Sequence, residues 1–294
     1  MEQKIVFLDV DGTLTLPNGE VSDNVKKSIQ QVRQNGHYVF LCTGRNKAGV
    51  QSLMPIGFDG IICSAGGYIE YNGKKIYESC LKEEDVKEAR EVFDRNGIMY
   101  NLETTHMTFQ NDDMNEAFIK IHLKDDDMNS ELTRLLNEQK DRFNIHSIEE
   151  YEAHPLPVQK LCFMTYSEES LKEPRTILSK KYNFIVHEFL STHIINGEII
   201  IKGTNKGNAV RFVVEHLGLS MKNTICFGDS MNDLEMIEVC EHSVVMGNGS
   251  EVLKSFATTV CESVHDDGVY HEIDRKSTRL NSSHRSLSRM PSSA

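Results

Sequence analysis

Asp9 and Asp11 are the first residues in this chain whose spacing suggests chemistry. They follow the apolar run Ile5–Leu8, with Val10 between them and Gly12-Thr13 behind. Two residues apart on an extended chain, both carboxylates can point to the same side. Like charges so placed repel unless a cation shares them, and an oxygen-only pair suits a hard divalent metal. Taken alone, the pair also fits turn residues closing a strand, because Asp and Gly are common in turns. Three further clusters bear on the choice. Thr43-Gly44-Arg45 follows the run Tyr38–Cys42, Lys206 opens an expected helix, and Gly228-Asp229-Ser230-Met231-Asn232-Asp233 follows Thr224–Phe227. Singly, each has an ordinary reading: a turn, a solvated lysine, and an acidic first helical turn of the kind the macrodipole favours.

Whether the clusters form one site depends on the elements that carry them. The runs are continuously apolar rather than alternating, the habit of strands buried on both faces of a parallel sheet. Ser22 as N-cap, the stripe Val25, Ile29 and Val32, and Gly36 as terminator place a helix between the first two runs. A third strand is expected over Gly60–Cys63, and Asn72-Gly73 marks a hairpin turn within Tyr68–Tyr77. From about residue 81 the pattern changes to half-buried strands beside helices, with a polar, mostly helical stretch over 113–140. It returns at a strand over Glu198–Lys202. The expectation is an α/β fold with a doubly wound (Rossmann-like), mostly parallel sheet built from 1–80 and 190–273, and an α+β insertion over 81–189. Ligands of such sheets bind at the carboxyl ends of the strands, where the clusters fall. Together they make a Mg²⁺ and phosphate site. The metal takes Asp9, Asp229 and a backbone carbonyl. The Thr43 hydroxyl and the Gly44 amide donate to phosphate oxygens, and Lys206 supplies a compact cation.

In order and spacing, Asp9-Val10-Asp11-Gly12-Thr13, Thr43-Gly44-Arg45, Lys206-Gly207 and Gly228-Asp229-x-x-Asn232-Asp233 resemble the four motifs of the haloacid dehalogenase (HAD) superfamily. The match is closest to its Cof-type subfamily (subfamily IIB), whose α/β cap is inserted between the second and third motifs. The resemblance spans about 1–273 and departs at Ser64-Ala65-Gly66-Gly67, where many relatives carry Asn-Gly-Ala. It implies a Mg²⁺-dependent phosphatase that hydrolyses a small phosphorylated metabolite, such as a sugar phosphate, through an aspartyl-phosphate. Asp9 is then nucleophile and metal ligand. Asp11 is the proton carrier, with only its backbone carbonyl on the metal. Asp229 is a ligand, Asp233 acts through water or orients Lys206, and Asn232 and Arg45 touch phosphate or substrate. A phosphosugar mutase of the same superfamily would pass the phosphate from Asp9 back to substrate. A signalling receiver, from a different class, would hold it without turnover.

Composition narrows the partners. A net charge of −12 over 294 residues argues against a nucleic-acid binder held by phosphate contacts. No apolar run approaches the roughly 20 residues of a membrane helix, so no membrane partner is expected. Seven dispersed cysteines without a CxxC pair, in a chain that begins with no export signal, suggest reduced thiols and a cytoplasmic setting. The twelve histidines show no ligand spacing. The expected assembly is a monomer or weak homo-oligomer. Residues 274–294 hold five basic residues and seven serines against one acid, and resemble the translation of a sequencing-library adapter. A non-native, disordered tail is expected there, with the last native helix cut short.

Overall fold

The structure, a computed structural model, describes residues 2–111, 113–114, 144–187 and 194–275. The chain opens with β1 (Ile5–Leu8), α1 (Asp23–Gln34), β2 (Tyr38–Cys42), a 3₁₀ segment over Ala48–Ile56, β3 (Gly60–Cys63), β4 (Tyr68–Tyr71) and β5 (Lys74–Glu78). Next come α2 (Glu83–Arg95), β6 (Met99–Thr104), β7 (Thr108–Gln110), β8 (Ile145–Ser147), α3 (Ile148–Ala153), β9 (Val158–Thr165), α4 (Lys172–Leu178), β10 (Tyr182–His187) and β11 (Ile195–Ile201). Then follow α5 (Lys206–His216), β12 (Thr224–Gly228), α6 (Leu234–Val239), β13 (His242–Val245), α7 (Glu251–Lys254) and β14 (Thr259–Val260). A helix over 268–275 ends the described chain.

Two sheets result. The larger runs β14-β13-β12-β1-β2-β3-β4-β5. It is parallel from β14 to β3 and antiparallel through the β4–β5 hairpin. β1 sits at its centre, and the two faces divide its side chains. Ile5 and Phe7 pack with Val210 and Val213 of α5, while Val6 and Leu8 pack with Val25 and Ile29 of α1. That double burial is why the strand reads as unbroken apolar sequence, each such side chain contributing about 2 kcal/mol. The hairpin turns on Asn72 and Gly73, both at positive φ, the backbone that right-twisted strands require of a two-residue loop.

The second sheet, β10-β11-β9-β6-β7-β8, is antiparallel except for the β7–β8 pair. Its helices α2 and α4 cover one face around Phe93, Leu102, Leu161, Phe163 and Leu178. It corrects the expected boundary at 190. The strand read over Glu198–Lys202 as the return of the parallel core is β11, paired on both sides within this second sheet. A central antiparallel strand is buried on both faces too, so its apolar run looks the same as a parallel one. The core resumes at α5. The helical stretch expected over 113–140 lies almost entirely outside the described residues, as do residues 276–294 of the expected tail. Residues 274 and 275, counted into that tail, instead continue the helix over 268–275, and Arg275 pairs with Glu262 at 3.1 Å and Glu272 at 2.7 Å. Among the described residues, no helix is long and apolar enough to cross a membrane.

Candidate active site

The four clusters meet at the carboxyl edge of the larger sheet. Asp9 extends β1 by one ladder bond, its amide donating to the Phe227 carbonyl at 3.1 Å. The chain then turns back, with the amides of Leu14 and Thr15 both closing on the Val10 carbonyl at 2.9 Å. Gly12 permits this turn at φ +75°, and a Cβ there would stand 2.5 Å from Asp229 Oδ2. Asp229 ends β12 next door. The first turn of α5 delivers Lys206, with Asn205 capping the Asn208 amide at 2.7 Å. Lys206 is almost wholly buried, and its Nζ donates to Asp9 Oδ1 and to Asp233 Oδ1, both at 2.6 Å. The other Asp233 oxygen accepts the backbone amides of Asp229 at 3.0 Å and Ser230 at 3.2 Å. Asp233 therefore fixes both the lysine and the loop that carries Asp229.

The electrostatics are those of crowded carboxylates sharing one cation. Asp9, Asp229 and Asp233 are all buried, with carboxylate oxygens within 4.8 Å of one another. Burial, and then the Asp233 charge, raise the Asp9 carboxyl to about 8 in spite of Lys206. Burial likewise pushes Asp229 well up, with Asp9 the next cause. Burial opposes the Lys206 charge, but the Asp233 and Asp9 carboxylates overcome it and hold the ammonium well above its ordinary value. A second, hard cation would relieve the remaining repulsion, and the all-oxygen donor set fits one. With both Asp233 oxygens engaged, Asp9 and Asp229 are the side chains placed to hold it.

The remaining expected residues fall as follows. Asp11 is gripped bidentately by Arg45, whose Nε and Nη2 donate to its two oxygens at 2.9 and 2.6 Å, while Nη1 donates to the Gly49 carbonyl at 2.9 Å. The Arg45 fork, expected on phosphate or substrate, is thus drawn onto Asp11. The Thr43 hydroxyl accepts the Arg45 amide at 3.1 Å. Asn232 Oδ1 lies 3.4 Å from Lys206 Nζ and accepts the Ser230 hydroxyl at 2.8 Å. Gly44 offers its carbonyl to Lys160 Nζ of the second sheet at 3.1 Å. Three participants escaped the sequence reading. The Thr13 hydroxyl reaches Asp229 Oδ1 at 3.4 Å, and Asn248 Nδ2 donates to the Gly12 carbonyl at 2.8 Å. Lys160 is the third. Asn248 follows β13 in Gly247-Asn248-Gly249, so the strand-end rule that found Asp9 and Asp229 applies to it as well. Lys160 had only the weaker signal of a charge inside an apolar strand.

This fold and this edge define the class of protein. The chain belongs to the haloacid dehalogenase-like hydrolases, whose family model matches residues 6–273. It is 26% identical over 287 residues to the 5-amino-6-(5-phospho-D-ribitylamino)uracil phosphatase YwtE of Bacillus subtilis, covering 92% of this chain and 97% of that one. Among solved structures, a haloacid dehalogenase-like hydrolase from Bacteroides thetaiotaomicron superposes with a TM-score of 0.75 at 23% identity, over 93% of this chain and 99% of the other. The HAD subclass IIB sugar phosphatase BT4131 superposes with a TM-score of 0.74 at 21% identity, over 94% and 99%.

Proposed function

We propose that the protein is a Mg²⁺-dependent phosphatase that hydrolyses a small phosphorylated metabolite, a sugar phosphate or similar phosphomonoester, through an aspartyl-phosphate on Asp9. One observation carries the reading: Lys206 bridges Asp9 and Asp233 at 2.6 Å inside a buried carboxylate cluster. A buried ammonium held between two carboxylates costs stability to desolvate, and in this reading that charge is offset when a phosphate binds beside it. The family and the phosphatases it resembles point the same way. Asp9, Asp229 and the Asp11 backbone carbonyl would hold Mg²⁺. When bound, it neutralises charge on the transferring phosphoryl group.

The chain's own residues do the rest. Asp9 Oδ1, already bonded to Lys206, is the oxygen that would also meet the metal, which leaves Oδ2 to attack phosphorus. A bond forms between Asp9 and phosphorus as the ester P–O bond breaks, and Asp11 gives the departing alkoxide its proton. Asp11 then takes a proton from water, which attacks the same phosphorus and releases phosphate and free Asp9. The Arg45 fork occupies both Asp11 oxygens, so in this reading it releases one of them, turning to the phosphate, before Asp11 carries the proton. Thr43, just after β2, and Asn232, after β12, would contact the phosphate. The seven free cysteines support a reducing, cytoplasmic setting.

The test is release of inorganic phosphate from p-nitrophenyl phosphate and a panel of phosphomonoesters. Turnover is expected with MgCl₂ and none in excess EDTA, with recovery on adding Mg²⁺ back. Asp9→Asn is expected to lose at least about 1,000-fold in kcat while keeping its fold by circular dichroism. Release of phosphate by folded Asp9→Asn protein at the wild-type rate would sink the nucleophile, and undiminished turnover in EDTA would sink the metal.

A further inference from the structure

The turn after β3, Ser64-Ala65-Gly66-Gly67, is where the chain departs from the motif pattern, and its backbone is unusual as well. Among the described residues, four non-glycine residues take positive φ, and only here are two of them consecutive: Ser64 at +49° and Ala65 at +52°. The other two are Asn72 and Asp267, residue types that tolerate this backbone, whereas the Cβ of serine or alanine makes it costly. Such a conformation persists only where the surroundings over-determine it. Here they do. The Ser64 amide donates to the Arg45 carbonyl at 2.7 Å, and the Ala65 amide to the Thr43 carbonyl at 3.0 Å. Ser64 is wholly buried, and its hydroxyl donates to Gln159 Oε1 of β9 at 2.8 Å. Gly66 lies so close to the start of α5 that a Cβ would stand 2.6 Å from the Asn205 carbonyl. The Gly67 carbonyl accepts the amide of Ser79, in the linker to α2, at 2.8 Å.

These contacts act on the loop that follows β2. All three carbonyls of Thr43-Gly44-Arg45 accept a bond: Thr43 from Ala65, Arg45 from Ser64, and Gly44 from Lys160, the neighbour of Gln159 on β9. In a trans peptide the carbonyl and the following amide point to opposite sides. The bond from Ala65 to Thr43 therefore turns the Gly44 amide away from the turn. The bond from Ser64 fixes the carbonyl end of Arg45, whose guanidinium grips Asp11. A glycine would form the same left-handed turn freely, but only a side chain can cross the seam to the second sheet. Gln159 is itself fixed there, its amide donating to Thr105 at 2.8 Å and to Glu78 at 3.2 Å. The second sheet thus holds Ser64, and Ser64 holds the turn that shapes the loop.

We propose that Ser64 is a positioning residue: seated against Gln159, it keeps a strained turn in the conformation that aims the Thr43 hydroxyl, the Gly44 amide and Arg45 at the phosphate, so that docking of the second sheet completes the phosphate loop. The proposal rests on the phosphatase reading above, and the experiment separates the two. kcat and KM for p-nitrophenyl phosphate are measured on the full chain with Mg²⁺, with the fold of each variant checked by circular dichroism. Ser64→Ala keeps the costly Cβ and loses the anchor, so kcat is expected to fall about tenfold, with KM changed by less than about threefold. Ser64→Gly loses the same anchor but takes the left-handed backbone freely. It should recover at least about threefold of that loss, as should Ala65→Gly added to Ser64→Ala. Packing alone predicts the reverse order, since glycine leaves the larger void and the looser chain. Gln159→Leu cuts the same bond from the other side. It should cost about tenfold in kcat in the wild-type background but less than about threefold in Ser64→Gly, and this pair decides the matter if Ser64→Ala does not fold. Ser64→Gly at or below the rate of Ser64→Ala, a wild-type rate in Ser64→Ala, or an equal cost of Gln159→Leu in both backgrounds overturns the positioning role while leaving the phosphatase standing. No hydrolysis of any phosphomonoester by the wild-type chain, p-nitrophenyl phosphate included, overturns the phosphatase reading and the positioning role with it.

Discussion

Asp233 accepts three donors with two oxygens: Lys206 on one, and the amides of Asp229 and Ser230 on the other. Removing it would strip Lys206 of one anchor and free the loop that aims Asp229. Asp233→Ala is therefore expected to cost at least about 100-fold in kcat. It should also cost about 3–5 kcal/mol in urea denaturation, because a buried charge loses its partner. A variant that loses activity at full stability would mean that the carboxylate acts on substrate rather than on Lys206. Protons and metal compete at the same residues. With no metal bound, the Asp9 carboxyl titrates at about 8, raised by burial and by Asp233. A group with a raised pKa is mostly protonated below that value, and its proton must leave before a cation binds. Mg²⁺ affinity should accordingly rise with pH between 6 and 8, by up to about tenfold per unit. Calorimetric Mg²⁺ titrations at pH 6, 7 and 8 check this. A flat profile would show that Asp9 is already ionised without metal.

At the scale of elements, the site depends on close approaches that only glycine allows. The turn after β1 brings Gly12 against the Asp229 carboxylate, and Gly228 lies where a Cβ would meet Asp233 Cγ at 2.6 Å. Gly12→Ala is expected to fold but with Asp229 displaced. Its Mg²⁺ affinity should fall by about tenfold or more, at a stability cost of about 1–2 kcal/mol for the left-handed backbone. Wild-type affinity in that variant would exclude Asp229 as a ligand. The same elements show what sequence alone reveals. Strands β1, β2 and β12 were legible because burial on both faces leaves unbroken apolar runs, and Asp9, Thr43 and Asp229 were legible because they end those runs. The hairpin at Asn72-Gly73 was legible from its turn chemistry. The allegiance of β11 was not, since apolarity reports burial and not which sheet supplies it. The three-residue β8 is too short to carry any period. Nor was the clamp of Arg45 on Asp11, or the anchoring of Gly12 by Asn248, because each joins residues far apart in the chain and depends on distances that only the folded backbone sets.

At the scale of the whole molecule, two modules share a polar seam. The Ser64 hydroxyl donates to Gln159 Oε1 at 2.8 Å, Gln159 in turn donates to Glu78 and Thr105, and Asn46 donates to the Thr104 carbonyl at 3.1 Å. Such a seam exchanges readily for water, as a cap that admits substrate must. The central position of β1 has a further consequence, for the order in which the chain can fold. Ile5 pairs with Tyr38 on one side but with Thr224 on the other. While the chain is being made, β1 to β5 can form early, but one edge of β1 stays open until β12 emerges, after the whole second module. An open apolar edge on a central strand is an aggregation hazard. A chain truncated after residue 203 is thus expected to be mostly insoluble when expressed, and centrifugal fractionation against the full chain checks it. A soluble, monomeric fragment would show that the edge is protected some other way. The second module begins and ends beside the first, so its strands can pair locally while the open edge waits. On that schedule the second module is built before the sheet beneath it is finished, and the last carboxylates of the candidate site to be made, Asp229 and Asp233, are the ones that complete it.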